Sequence, residues 1–255
     1  MSTKYQIISF YEFKPLGGPE ILQGLKAKLK EMLVRSNVFG TIIIAEEGFN
    51  ASLSALPEAI DPFLKELEGT LATKIKPKVS YSEQSPFRKH EIKVKPEIVT
   101  LKQPVDISLG AGTHVEPKDW NALLEDPEIL VLDTRNDYEF HSGTFKNAVN
   151  PGTEKFSELP AFVESELDPE KHKKIAMFCT SGIRCEKFAP YMKARGFAEI
   201  YQLRGGILKY LEEIPQDETL WQGECFIFDE RTTLNEMLEK GSGPDLSMRH
   251  PPVEK

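Results

Sequence analysis

The chain has 255 residues, enough for two domains. Its hydrophobic content of 40 % and charged content of 28 % suit a globular protein, and no run approaches the length of a membrane span. The net charge is −8, but residues 1–110 balance at +2 and residues 111–255 at −10, so the two halves differ in electrostatic character. There are three cysteines, Cys179, Cys185 and Cys225, too few for a disulfide framework. No Cys-x-x-Cys pair occurs and the histidines are scattered, so no metal site is expected. The N-terminal residues lack the apolar core of a signal peptide, which makes the cytoplasm the expected location.

The first hundred residues alternate between strand and helix patterns. Tyr5–Phe13 is β-rich, and Glu20–Val34 carries apolar residues at helical spacing behind Pro19. Phe39–Ala45 predicts a second strand, Glu46–Asn50 a turn and Ala51–Ser54 a return strand. A second helix is expected over Pro57–Leu67, stopped by Gly69, and a fourth strand over Lys76–Tyr81. The order βαββαβ is that of a ferredoxin-like domain, placed at 1–97. A connector is expected over 98–122; Ile92–Val94 and Ile98–Leu101 are candidates for added strands.

Beyond the connector the pattern becomes α/β. Trp120–Leu124 reads as a short helix. Ile129–Asp133, Ile175–Phe178 and Glu199–Gln202 read as buried parallel strands, and Glu186–Arg195 and Ile207–Glu213 as helices. A domain with a parallel sheet flanked by helices is therefore expected over 123–222. A further helical stretch over Leu234–Lys240 precedes a polar end, and 223–255 is expected to be a partly disordered tail.

One loop carries chemistry. Cys179 follows an apolar strand, and Thr180, Ser181, Gly182 and Ile183 separate it from Arg184 at a helix start. Ligand sites of open α/β sheets lie beyond the carboxyl ends of the strands, and a loop feeding a helix N-terminus points several N–H groups at one spot. A thiolate held there has a lowered pKa, and Arg184 adds positive charge. A cysteine after an apolar strand is ordinarily a small buried hydrophobe; the Ser-Gly-x-Arg context turns the reading toward a reactive thiol. Cys185 is either a resolving thiol or buried filler. Asp133 and Arg135 read as a structural brace.

The basic residues between 74 and 95 outnumber the acidic seven to two. Within that block Arg88, Lys89, Lys93 and Lys95 are candidates for phosphate contacts, and Phe87 for stacking a base; the plainer reading is a solvated lysine-rich face with Phe87 in the core.

Cys179-Thr180-Ser181-Gly182-Ile183-Arg184 closely resembles the active loop of rhodanese domains. Val131-Leu132-Asp133-Thr134-Arg135, Tyr138-Glu139-Phe140, Ala148-Val149-Asn150-Pro151 and Leu203-Arg204-Gly205-Gly206-Ile207 resemble other rhodanese segments. A departure is Gly143-Thr144-Phe145, where rhodaneses usually have Gly-His-Ile. Related phosphatases of this fold place five residues between Cys and Arg, and the four found here disfavour phosphatase activity. Glu47-Gly48-Phe49-Asn50-Ala51, Ser85-Pro86-Phe87-Arg88-Lys89, Lys93-Val94-Lys95-Pro96-Glu97-Ile98-Val99, Gly112-Thr113-His114-Val115, Pro117-Lys118-Asp119-Trp120 and Phe226-Ile227-Phe228-Asp229-Glu230-Arg231 extend the likeness to a bacterial family. It is the rhodanese-domain family of oxygen-dependent tRNA uridine hydroxylases, which make 5-hydroxyuridine at the wobble position. Some members have a cysteine-rich C-terminal extension, and this chain has no cysteine after Cys225.

The resemblance implies a tRNA-modifying oxidoreductase that acts on the anticodon loop, with Cys179 and Arg184 at the reaction centre. It implies molecular oxygen as co-substrate; the sequence has no flavin or nicotinamide Gly-rich fingerprint and no 2-His-1-carboxylate cluster stands out, so no bound cofactor is expected, while the electron donor and oligomeric state are open. The sequence permits two other functions: a sulfurtransferase carrying a persulfide on Cys179, and a non-catalytic RNA-binding module, against which the intact Cys179 and Arg184 argue. Neutralising Arg88, Lys89 and Lys93 together is expected to weaken tRNA binding and flatten its salt dependence. An unchanged slope of log K against log salt would leave the block a solvated face.

Overall fold

The computed structural model describes residues 4–247, which form two compact units dividing between Thr100 and Leu101. Among the described residues, no helix is long and apolar enough to cross a membrane.

The first unit contains β1 (Tyr5–Phe13), α1 (Pro19–Arg35), β2 (Phe39–Ala45), β3 (Gly48–Ala55), α2 (Pro57–Leu71), β4 (Lys78–Ser82) and β5 (His90–Val94). Its sheet runs β4-β1-β3-β2-β5, the ferredoxin-like order extended at one edge. Pro19 and Pro57 open the two helices, where the missing N–H costs no helical bond. Leu22, Leu29, Met32 and Leu33 of α1 and Ile60, Phe63, Leu67 and Leu71 of α2 are buried against Ile8, Ile42, Phe49 and Leu53 of the sheet.

Three local expectations are corrected here. The turn expected over Glu46–Asn50 shrinks to Glu46-Glu47, because Ala45 already pairs with Gly48. Gly48 has φ +148, and a Cβ there would lie 2.1 Å from the Glu12 carbonyl oxygen, so the ladder needs glycine. Helix α2 runs through Gly69 to bury Leu71, and ends where Ala72 turns left-handed at φ 49. Of the candidate added strands, Ile92–Val94 is real as part of β5, parallel to β2, whereas Ile98–Leu101 is not a strand.

The second unit contains β6 (Thr113–Val115), α3 (Pro117–Glu125), β7 (Ile129–Asp133), α4 (Asp137–Ser142), β8 (Gly143–Phe145), α5 (Leu159–Glu166), β9 (Lys174–Phe178), α6 (Ile183–Lys193), β10 (Glu199–Leu203), α7 (Gly206–Glu213), β11 (Trp221–Gly223), β12 (Cys225–Phe226) and β13 (Thr233–Leu234). Strands β6-β10-β9-β7 form a parallel sheet with helices between them. The stretch 98–122 is therefore not a bare connector, since it supplies the edge strand β6 and helix α3. Three residues are too few to show a strand's alternation; β6 owes its form to the ladder with Tyr201, Gln202 and Leu203.

Phe145, at the departure from Gly-His-Ile, is the hub of this core. Its ring meets Phe178, Tyr210 and Trp221 edge-on at 4.9, 4.7 and 5.1 Å. Trp221 is held opposite it by the β8–β11 ladder. Thr144, in the place of histidine, donates to the buried Asp133 carboxylate at 3.1 Å.

The segment expected as a helix over Leu234–Lys240 is not helical. Asn235 Oδ1 accepts from the N–H groups of Met237 and Glu239 at 3.0 and 2.9 Å, capturing donors that a helix would use. The tail expected over 223–255 is built in part: β12 pairs with β13, and Glu224 accepts from Thr233 Oγ1 (2.5 Å), Ser242 N (3.0 Å) and Gly243 N (2.9 Å). These bonds hold the Glu224 carboxyl down to about 2. The remainder of that expectation, at 248–255, lies outside the described residues.

Candidate active site

Strands β7, β9 and β10 end together, and each delivers one part of the site. From β9 the chain passes through Phe178 to Cys179 and the loop. Helix α6 starts at Ile183, earlier than the expected Glu186, so Arg184 and Cys185 lie in its first turn. Gly182 at its N-cap has φ +100, a conformation that side chains with a Cβ rarely adopt. The Gly182 N–H donates to the Cys179 sulfur at 3.1 Å.

From β10 comes Gly205-Gly206. The N–H groups of Ile207 and Leu208, opening α7, donate to the carbonyls of Cys179 (3.0 Å) and Thr180 (3.2 Å). A Cβ on Gly206 would lie 2.5 and 2.7 Å from those two oxygens. Only glycine lets α7 come close enough to hold the loop's carbonyls.

From β7 the chain enters α4, which carries a residue that the motif reading left without a role. Glu139 is fully buried and accepts from Arg184 Nη1 at 2.6 Å and Nη2 at 2.8 Å. It also accepts from the Asn136 N–H at 3.1 Å, capping its own helix. Burial pushes the Glu139 carboxyl up, but Arg184, together with the charge of Arg135 and the Asn136 N–H, holds it down. Arg184 is thus locked in a bidentate pair rather than projecting as a single charge. Its Nη2 also reaches Thr180 Oγ1 at 3.3 Å. The signal for Glu139 was its spacing from Asn136, an acid three residues after an N-cap; its partner 45 residues away was not legible.

Cys179 is 1 % exposed. Burial pushes its thiol up; the hydrogen bond from Cys185, the charge of Arg184 and the backbone N–H groups of Cys185 and Arg184 bring it well below the ordinary range. Cys185 moves the opposite way: burial and the neighbouring Cys179 sulfur raise it, so it stays protonated. Its sulfur also lies 3.4 Å from Thr134 Oγ1. Cys225 is buried and pushed up to about 12 by burial, and its sulfur lies 3.7 Å from the Phe226 carbonyl. Asp133 and Arg135 form a buried pair, with Nη2–Oδ2 at 2.6 Å, and Arg135 Nη2 also donates to the Gly143 carbonyl at 2.5 Å. That geometry is a brace between β7 and β8.

The loop residues Cys179 to Cys185 thus come together in the second unit, while the residues read as RNA contacts belong to the first. Arg88, Lys89 and Lys95 are exposed there. Lys93 is partly buried and paired with Glu91 at 3.1 Å, so its charge is partly spent. Phe87 is half-buried in a turn in which Ser85 Oγ bridges to its carbonyl (2.8 Å) and to Ser54 (2.7 Å).

Residues 5–98 match the UPF0176 acylphosphatase like domain, and residues 116–213 the rhodanese-like domain. The chain thus joins an N-terminal domain of the UPF0176 type to a rhodanese-like domain. Among similar solved structures is the polysulfide-sulfur transferase homodimer of Wolinella succinogenes. It is 34 % identical over 40 % of this chain and 75 % of that one, with a TM-score of 0.33. A rhodanese-like domain from Anabaena is 16 % identical over 43 % of this chain and 78 % of that one (TM-score 0.36). The acylphosphatase of Bacillus subtilis is 15 % identical over 36 % of this chain and 98 % of that one (TM-score 0.25). The rhodanese-like match spans Cys179, Arg184, Glu139 and Gly206.

Two measurements check the site. Alkylation of Cys179 by iodoacetamide is expected to stay fast down to pH values at which an ordinary thiol, with a pKa near 8.5, is protonated. A Cys179 that labels no faster than Cys225 would contradict the bound thiolate. Glu139→Gln leaves the buried Arg184 charge without its counter-ion and is expected to cost about 3–5 kcal/mol of stability in urea unfolding. A loss below about 1 kcal/mol would mean that water replaces the carboxylate there.

Proposed function

We propose that this protein is a tRNA-modifying oxidoreductase that hydroxylates the wobble uridine to 5-hydroxyuridine, with O₂ as co-substrate and Cys179 as nucleophile. The observation that carries the reading is the buried Cys179 sulfur held by N–H donors beside Arg184, in a chain with the two-domain architecture of the UPF0176 family.

Attack of the thiolate on uridine C6 forms a C–S bond and moves the C5–C6 π pair onto C5 and the adjoining carbonyl as an enolate. The loop's N–H groups and the charge of Arg184 favour that anion. C5 gives electrons to O₂ and, with one proton, forms a hydroperoxide. Two electrons and two protons, supplied by two external thiols that become a disulfide, cleave the O–O bond and release water. Loss of the C5 proton and of the sulfur from C6 restores the double bond and the thiolate. The net change is uridine, O₂ and two thiols to 5-hydroxyuridine, water and one disulfide.

An anticodon loop presents unpaired bases, which reach a recessed sulfur without a duplex being opened. Arg88, Lys89 and Lys95 are the phosphate contacts in this reading, since the acidic second half repels RNA. The protein acts in the cytoplasm, where tRNA is found.

A second reading, sulfur transfer through a Cys179 persulfide, is favoured by the four-residue spacing from Cys179 to Arg184. In it Cys185 is the candidate resolving thiol. Nucleoside mass spectrometry of tRNA from cells lacking the gene, complemented with the wild type or with Cys179→Ala, separates the two. The expected result is loss of 5-hydroxyuridine, restored by the wild type alone, while purified Cys179→Ala binds tRNA within about threefold of the wild type. Loss of a thiolated base instead would establish sulfur transfer, and unchanged nucleosides would overturn both.

A further inference from the structure

Singly exposed apolar side chains are ordinary on protein surfaces, but Phe228 differs from the others in place and in support. Its ring is 47 % exposed, and its centroid lies 5.9 Å from the Arg184 guanidinium carbon. Arg184 in turn acts directly on the Cys179 sulfur. An exposed aromatic face therefore stands beside the charged wall of the loop, while the reactive atom is recessed.

The ring is also held. Phe226 meets it edge-on at 5.4 Å and itself packs on Tyr138 at 5.1 Å, next to the clamp residue Glu139. The turn that carries Phe228 is closed by the Ile227 N–H on the Thr232 carbonyl (2.8 Å) and the Thr232 N–H on the Asp229 carbonyl (3.1 Å). Arg231 locks it further through a two-pronged pair on Asp229, with Nη2–Oδ2 at 2.6 Å. The aromatic face is thus preorganised, and binding a flat partner costs little further ordering.

We infer that Phe228 is the stacking platform for the pyrimidine whose C6 meets Cys179. This inference rests on the reading of the protein as a tRNA uridine-modifying enzyme. Stacking on an aromatic side chain accepts any base, so Phe228 orients the ring rather than choosing it. Arg184 Nη1 and Nη2 are committed to Glu139 and Thr180, so the apolar face of Phe228 adds a means of holding the base that those bonds do not supply.

The test compares wild type, Phe228→Ala and Phe228→Trp in the full chain, with anticodon stem-loop RNA, O₂ and dithiothreitol. Modification kinetics and Cys179 alkylation are both measured. Phe228→Ala is expected to raise KM about tenfold with a smaller change in kcat, Phe228→Trp to restore it, and all three proteins to alkylate at the same rate. A wild type that leaves the RNA unmodified defeats the functional reading and this inference with it. An active wild type matched by Phe228→Ala overturns the inference alone. So does a Phe228→Ala defect paralleled by slower alkylation, because the ring would then only brace Arg184.

Discussion

The site depends on a charge placed where charge is costly. Arg184 is nearly buried at the start of α6, and a lone guanidinium there would destabilise the fold by several kcal/mol. Glu139 removes that cost by meeting both terminal nitrogens at once, which fixes the plane of the guanidinium as well as its charge. The pair is neutral as a whole, so it acts on Cys179 as a dipole whose effect falls quickly with distance. The direct contacts from the Gly182 N–H and the Cys185 S–H are therefore as necessary to the thiolate as the arginine.

The same economy explains the glycines. A loop that turns its N–H groups toward a sulfur must turn its carbonyls elsewhere, and buried carbonyls need donors. Helix α7 supplies them at Cys179 and Thr180, and its approach is possible because Gly206 has no Cβ. The sulfur-facing and outward-facing halves of the loop are one construction, assembled from three strand ends and two helix starts.

Much of this was legible in the sequence. The order of elements in the first unit follows from apolar periodicity, and the reactive loop from Cys179, Gly182 and Arg184 at a strand-to-helix junction. The short strands share a cause: they carry too few residues for a period, so β6 and β8 draw their form from partners distant in the chain. Glu139 was visible as a helix-capping acid, whereas its pairing with Arg184 is a tertiary fact. Leu234–Lys240 failed for a local reason, since a single asparagine side chain competed successfully for the backbone. Charge counts also do not show that Lys93 pairs with Glu91.

The state of Cys185 bears on how the loop reacts. A persulfide or an oxidised sulfur on Cys179 is released when a neighbouring thiolate attacks it, and that requires the neighbour to lose its proton. Cys185 is buried and its thiol is raised well above the ordinary range, so it is a poor attacking group while Cys179 is anionic. Its S–H instead stabilises the Cys179 thiolate. Once the Cys179 charge has passed to a substrate, the neighbouring negative charge that raises Cys185 is gone. Burial, the larger cause of that shift, remains, so in either chemistry Cys185 serves better as a proton donor than as an attacking thiolate.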